Sequence, residues 1–217
     1  MEWFDLDTVK SISIIITIWV AVYGIDAWRR EHVGKRQIEL AEDTLALFYE
    51  AVDVIKHIRH PMSYANETDE ITQLTNESNE QYEARKSASV VFVRYQKNQE
   101  LFNRLHASRY RFMAQLGKEK AKPFDDIRAV TGKIIGSARM LSKLWARNHF
   151  RTDERWESHQ KDVDKFEAIF WEGISDEDPI NEQLDQIIIE IEKTCKVVIE
   201  GQGTLHSFLN MKMGKNS

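Results

Sequence analysis

Hydrophobic residues open the chain in one dense run and afterwards return as stripes. Residues 11–25 (SISIIITIWVAVYGI) hold fifteen positions without a charge, six of them isoleucine. A helix crossing a bilayer core takes roughly 17 to 25 apolar residues, and Leu6 and Val9 extend the run upstream. Lys10 and Asp26 stand at its two ends, where long or polar side chains reach the headgroups. Trp3, Trp19, Tyr23 and Trp28 add the aromatic character of a membrane interface. The pattern predicts a single transmembrane helix. A cleaved signal peptide fits less well, because Glu2, Asp5 and Asp7 outnumber Lys10 where such a peptide is basic, and no small-x-small cleavage site follows. Arg29, Arg30, Lys35 and Arg36 follow the run against one lysine before it, so the positive-inside rule predicts an outside N-terminus and a cytoplasmic remainder.

After Trp28 the period becomes that of amphipathic helices. Ile38, Ala41, Leu45, Phe48, Val52 and Ile55 step alternately by 3 and 4, a heptad seam able to pair with itself. Leu40, Leu47, Ala51, Val54 and Ile58 widen it into the stripe of a bundle helix, and Pro61 closes it. If helix continues unbroken out of the membrane, residues 9–60 make a rod of roughly 78 Å, with Gly24 and Gly34 as the places for a bend. Residues 62–80 are polar and aperiodic and predict a long loop. A second helix is expected to run on to Leu116 with Ala88, Val91, Phe102, Leu105 and Phe112 inward, and residues 117–123 end it. A third covers about residues 124–148, with Ile127, Val130, Ile134, Ala138 and Leu141 on its core face. Residues 148–160 show no clear pattern, residues 163–171 read as a short helix, and the last helix opens on Asp178 as N-cap and Pro179 at its first position. The expected fold is all-α: a short outside tail and transmembrane helix (1–28), a cytosolic antiparallel helical bundle (29–200) and a C-terminal tail (201–217).

Composition narrows the chemistry. With 42% hydrophobic and 30% charged residues in 217, the chain can build a sizeable core, and nine Gly with three Pro are too few for a turn-dense β fold. The single cysteine, Cys195, excludes an internal disulfide or a multi-cysteine metal centre, and its place on an apolar stripe predicts a buried small hydrophobe. No GxGxxG, GxSxG or HExxH occurs, and Gly132-Lys133 fails the phosphate-loop pattern because isoleucine stands at 127 and at 134. Gly132 and Gly136, four apart, predict a close helix approach instead. No cofactor is expected.

Two clusters carry candidate chemistry. Asp53, His57 and His60 lie at i, i+4 and i+7, so one helical face presents a carboxylate and two imidazoles, a metal-compatible set that needs a further group such as His106 or His149. Arg104, His106, Arg109 and Arg111, with Tyr110, form the densest basic and aromatic run, a candidate site for an anionic ligand. Charge is also divided between two blocks: residues 94–151 hold 14 Lys/Arg against 4 Asp/Glu, and residues 152–200 hold 5 against 15. The third helix is therefore expected beside the acidic C-terminal helices, with Lys133, Arg139, Lys143 and Arg147 facing Glu182, Asp185, Glu190 and Glu192. At a net charge of −5, nucleic acid is not an expected partner.

Four stretches, ELAEDTLALFYEAVDVIKHIRHP, LFNRLHASRYRFMAQLGKEKAKPFDDI, SARMLSKLW and FWEGISDEDPI, resemble an uncharacterised family of bacterial membrane-anchored proteins over roughly residues 28–200. The resemblance implies a protein of the bacterial inner membrane and brings no activity, ligand or catalytic residue with it. The expected function is a scaffold or signalling subunit without catalysis, self-associating, with membrane lipid and a cytosolic protein as partners. Two alternatives are a small oligomeric pore lined by Ser11, Ser13 and Thr17, and a metal-dependent enzyme built on Asp53, His57 and His60.

Overall fold

The computed structural model describes residues 6–146, 149–150, 152–174 and 178–201, with side chains from Lys10 onward and without that of Ala65. Among these residues it has six α-helices, two short 3-10 helices and no strand. The first helix, α1, is a single element from Leu6–Arg59, 54 residues long, and it passes through Gly24 and Gly34 without a break. At about 1.5 Å per residue it spans roughly 80 Å. Its apolar part is long enough to cross a membrane, and no residue of that stretch is buried against the rest of the chain. Ser13 donates from Oγ to the Lys10 carbonyl (2.9 Å) and Thr17 from Oγ1 to the Ser13 carbonyl (2.7 Å), so these hydroxyls are satisfied by their own helix.

The first buried side chain of α1 is Leu40, and from there Ala41, Phe48, Val52 and Ile55 face inward. The heptad seam is thus covered by the chain's own helices, with Leu45 half-buried against them, and is not free for a second copy. The physical reason is the width of the stripe, which needs more than one neighbour to cover it.

The expected second helix is two: α2 (Asn79–Lys97) and α3 (Gln99–Leu116). Asn98 lies between them, and its side-chain amide donates to the Arg94 carbonyl at 2.8 Å. A short amide side chain that competes for helix carbonyls breaks a ladder that the apolar periodicity alone carries across. The start of α2 has a capping box: Ser78 Oγ accepts from the Gln81 amide (3.2 Å) while Gln81 accepts from the Ser78 amide (3.1 Å). Gly117 ends α3 at φ 108, where a side chain would be strained and would strike Glu119.

Helix α4 (Lys122–Leu144) carries Pro123 in its first turn and stops short of residue 148. Helix α5 (Asp153–Phe170) starts ten residues before the expected one, with the Thr152 hydroxyl accepting from the Arg155 amide at 3.3 Å. Only Val163 and Phe170 of α5 are buried, so its first half lacks the apolar signal that sequence reading needs. Helix α6 (Pro179–Ile199) begins as expected, with Asp178 Oδ1 accepting from the amides of Ile180 (2.9 Å) and Asn181 (3.1 Å).

Helix α4 sits centrally and meets α2, α3, α5 and α6, while α1 lies against α3 and α6. Phe124 on α4 joins Phe48 on α1, edge-on at 4.9 Å, to Phe112 on α3 at 5.2 Å. The close approach expected at Gly132 and Gly136 is absent: a Cβ at either would meet nothing within 4 Å among the described residues. Helices 8 to 10 Å apart pack through larger side chains, and here the contact face of α4 is formed by Ile127, Val130, Ile134 and Leu141.

Candidate functional site

Asp53, His57 and His60 are exposed, and no group of three His, Cys, Asp or Glu side chains able to hold a metal ion comes together among the described residues. Helical spacing aligned these three on one face, but among the described residues no neighbouring element brings a further ligand to that face. His60 instead uses Nδ1 to accept from the Met62 amide at 3.2 Å.

The same helix end is built on backbone carbonyls. Arg94, 2% exposed, donates from Nη1 to the carbonyls of His57 (3.1 Å) and His60 (2.7 Å) and from Nη2 to that of Met62 (2.6 Å). A cation here satisfies the orphan carbonyls of a helix C-terminus and complements its partial negative charge. Glu67 closes the arrangement, its carboxylate 2.9 Å from Arg94 Nη2. Burial opposes ionisation of Glu67, but the Arg94 guanidinium outweighs it and holds the carboxyl below its usual value.

Arg59, the last residue of α1, makes a second buried knot and is 0% exposed. Its Nε donates to the Ile169 carbonyl (2.8 Å), and Nη2 to those of Ala168 (3.0 Å) and Trp171 (2.8 Å) and to both Asp178 oxygens (2.9 Å). One guanidinium thereby ties the end of α1 to the end of α5 and the start of α6. Burial again works against the Asp178 carboxylate, while Arg59 and the amides of Asn181 and Gly173 bring its pKa below the ordinary value. Sequence reasoning missed both arginines. The available signal was a cation in line with an apolar stripe: Arg59 four residues after Ile55, and Arg94 three after Val91.

The basic run is dispersed. Arg104 faces Glu50 at 3.3 Å with both side chains more than half exposed, and Arg109 pairs with Asp125 at 2.9 Å. Arg111 is exposed. His106 turns to the Tyr110 ring, with centroids 5.7 Å apart, and toward a cavity between α3 and α4. Helix periodicity explains part of the division, since Arg104 points about 160° away from His106 and about 140° away from Arg109 around α3, whereas His106 and Arg109, three apart, are neighbours.

That cavity has a volume of about 350 Å³. Its apolar wall includes Tyr95 and Phe102, stacked with centroids 4.9 Å apart, and Ile135. Gly132 forms part of the α4 side, where the missing side chain leaves open space. Asn103, His106 and Arg128 add polar groups, and none of the three makes a hydrogen bond or ion pair with another described residue. Phe102 and His106 are four apart on α3, and Arg128, Gly132 and Ile135 step by four and three on α4, so each of these helices contributes one face, and Tyr95 adds the end of α2.

The two charge blocks meet sparingly. Lys122 reaches Glu190 at 3.2 Å and Lys133 reaches Gln183 at 2.5 Å, whereas Glu192 accepts from Tyr49 (2.5 Å) and Lys196 (2.5 Å). Arg139 and Lys143 are exposed without an ion pair to described residues, and Arg147 lies outside the described residues. Cys195 is fully buried, and burial pushes its thiol up to about 11, away from nucleophilic use. No protein-family model, curated protein or solved structure matches the chain.

Proposed function

We propose that this chain is a bacterial inner-membrane scaffold or interaction subunit, anchored by one helix and presenting a cytosolic antiparallel helical bundle to a protein partner. The observation that carries the reading is the continuity of α1: one helix is an unburied apolar rod over its first half and a core element over its second. A bundle oriented by its own anchor keeps a fixed relation to the membrane, as a scaffold requires. Antiparallel packing is supported by contacts in inverted order, Arg59 against Asp178 and Tyr49 against Glu192. The cytoplasmic placement rests on Arg29, Arg30, Lys35 and Arg36 after the span, and the bacterial membrane on the family resemblance. Because the seam of α1 is buried, self-association is assigned to residues 10–39, where Trp28 and Val33 are exposed. The hydroxyls of Ser13 and Thr17, turned to their own helix, favour an anchor over a pore.

Cys195 is buried, so a cysteine introduced at position 33 is the accessible thiol for cross-linking in intact membranes. Val33→Cys is expected to give cross-linked pairs. Recovery of monomers alone removes self-association. A reporter that matures only outside the cytoplasm, fused after Ser217, is expected to stay inactive, and activity there reverses the orientation.

A further inference from the structure

The cavity between α3 and α4 has the properties of a ligand site. Ligand pockets are clefts of roughly 300 to 1,000 Å³ with mainly apolar walls and a few orienting polar groups, and this one measures about 350 Å³. Tyr95 and Phe102 present stacked rings to it, and Ile135 and Gly132 complete the apolar side. Its polar edge carries one cation, Arg128, and is exposed to solvent. Arg104 and Arg109 on the same helix are engaged by Glu50 and Asp125, but Arg128 and His106 have no carboxylate partner among the described residues. Asn103 adds a free amide donor beside them.

We propose that this cavity binds a small amphipathic anion: a flat apolar body seated against Tyr95 and Phe102 and held by Arg128 and His106 through one sulfonate, carboxylate or phosphate group. The aromatic pair selects a flat body because ring systems prefer offset stacking or edge contacts. The guanidinium of Arg128 selects the anion because charge-assisted bonds to an anionic oxygen are the strong ones. Gly132 keeps the body's place open, and among the described residues nothing lies within 4 Å of where its Cβ would be. The site is independent of the anchoring role, since its residues lie outside the span and outside the exposed half of α1.

Naphthalene-1-sulfonate is the probe, titrated calorimetrically into the full chain in nanodiscs of zwitterionic lipid, with empty nanodiscs subtracted and naphthalene-1-methanol as the uncharged comparator. One sulfonate per chain is expected to bind. Gly132→Leu, which fills the cavity from a position with free space around its Cβ, is expected to abolish binding of both probes while circular dichroism stays unchanged. Arg128→Gln is expected to weaken the sulfonate roughly tenfold and to leave naphthalene-1-methanol unaffected. Absence of saturable binding overturns the proposal, as does sulfonate binding that survives Gly132→Leu. Equal weakening of both probes by Arg128→Gln also overturns it, because the site would then recognise no charge.

Discussion

Residues 12–33 and residues 40–59 belong to the same helix and are both rich in large apolar side chains, yet Ile15 is 66% exposed and Phe48 is 0% exposed. Among the described residues nothing buries the apolar stretch of the first half, which suits a solvent that is itself apolar. The second half is wrapped by α3 and α6 and needs no membrane. The lesson is that apolar density alone does not separate a span from a core helix. The distribution of charge around the axis does, since the outer half has no charged residue from 11 to 25, whereas Glu42, Asp43, Glu50 and Asp53 cover one side of the inner half.

The comparison breaks most visibly if the inner half is truncated. Phe48→Ala is expected to lower the unfolding free energy by about 3 to 5 kcal/mol, while Ile15→Ala changes it by under about 0.5 kcal/mol, in denaturant titrations of the detergent-solubilised chain. Equal effects would show that the outer half also packs in the fold.

Arg59→Met tests the knot at the end of the inner half. Leaving the mostly covered Asp178 carboxylate without its cation should cost about 3 to 5 kcal/mol. Adding Asp178→Asn, which keeps a capping oxygen on α6, is expected to recover part of that loss. Strict additivity of the two changes would separate the residues energetically.

For the outer half the matching test is Ile18→Lys, which should disfavour membrane insertion by about 2.5 to 3.5 kcal/mol and leave unfolding of the inner part unchanged. Carbonate extraction of membranes reads the first quantity and denaturant titration the second.

Acid should also divide the two halves. Glu67 and Asp178 have folded pKa values below their ordinary 4.5 and 3.8, so their contribution is present above those values and is lost as pH falls through the folded ones. Ellipticity-monitored stability is expected to drop below about pH 4, whereas the apolar segment, with no acid between residues 11 and 25, is expected to show no acid-dependent change. A flat stability profile down to about pH 2 would remove the two ion pairs from the account.

The smallest effect belongs to the surface. Arg104→Gln, which removes the exposed pair with Glu50, should cost about 0 to 1 kcal/mol and less in high salt. A loss near that of Arg59→Met would place this pair in a dry environment.

Much of the helix inventory was legible because each signal is local. Asp178-Pro179 marks the start of α6 through a side chain that bonds amides two and three residues ahead, and Pro61 marks the end of α1. The join at Asn98 was not legible, since an apolar stripe continues across it on both sides. The early start of α5 was equally hidden, because a helix half exposed to water carries no stripe. The candidate sites divided along the same line. Asp53, His57 and His60 share a face by periodicity, but a metal site needs ligands converging from different elements. Arg128, Gly132 and His106 form a cavity wall that no spacing along one helix announces.

The sequence by itself determined an all-helical chain with one apolar segment long enough for a bilayer, because hydrophobic periodicity, caps and breakers act within a few residues of one another. Only the tertiary structure decided which cations are consumed. Arg59 and Arg94 became buried locks, Arg104 and Arg109 surface pairs, and Arg128 the exposed edge of a cavity. A long cationic side chain takes its role from whichever carbonyl or carboxylate the fold brings within about 3 Å, and those partners lie 16 to 122 residues away along the chain in the Arg59, Arg94, Arg104 and Arg109 contacts.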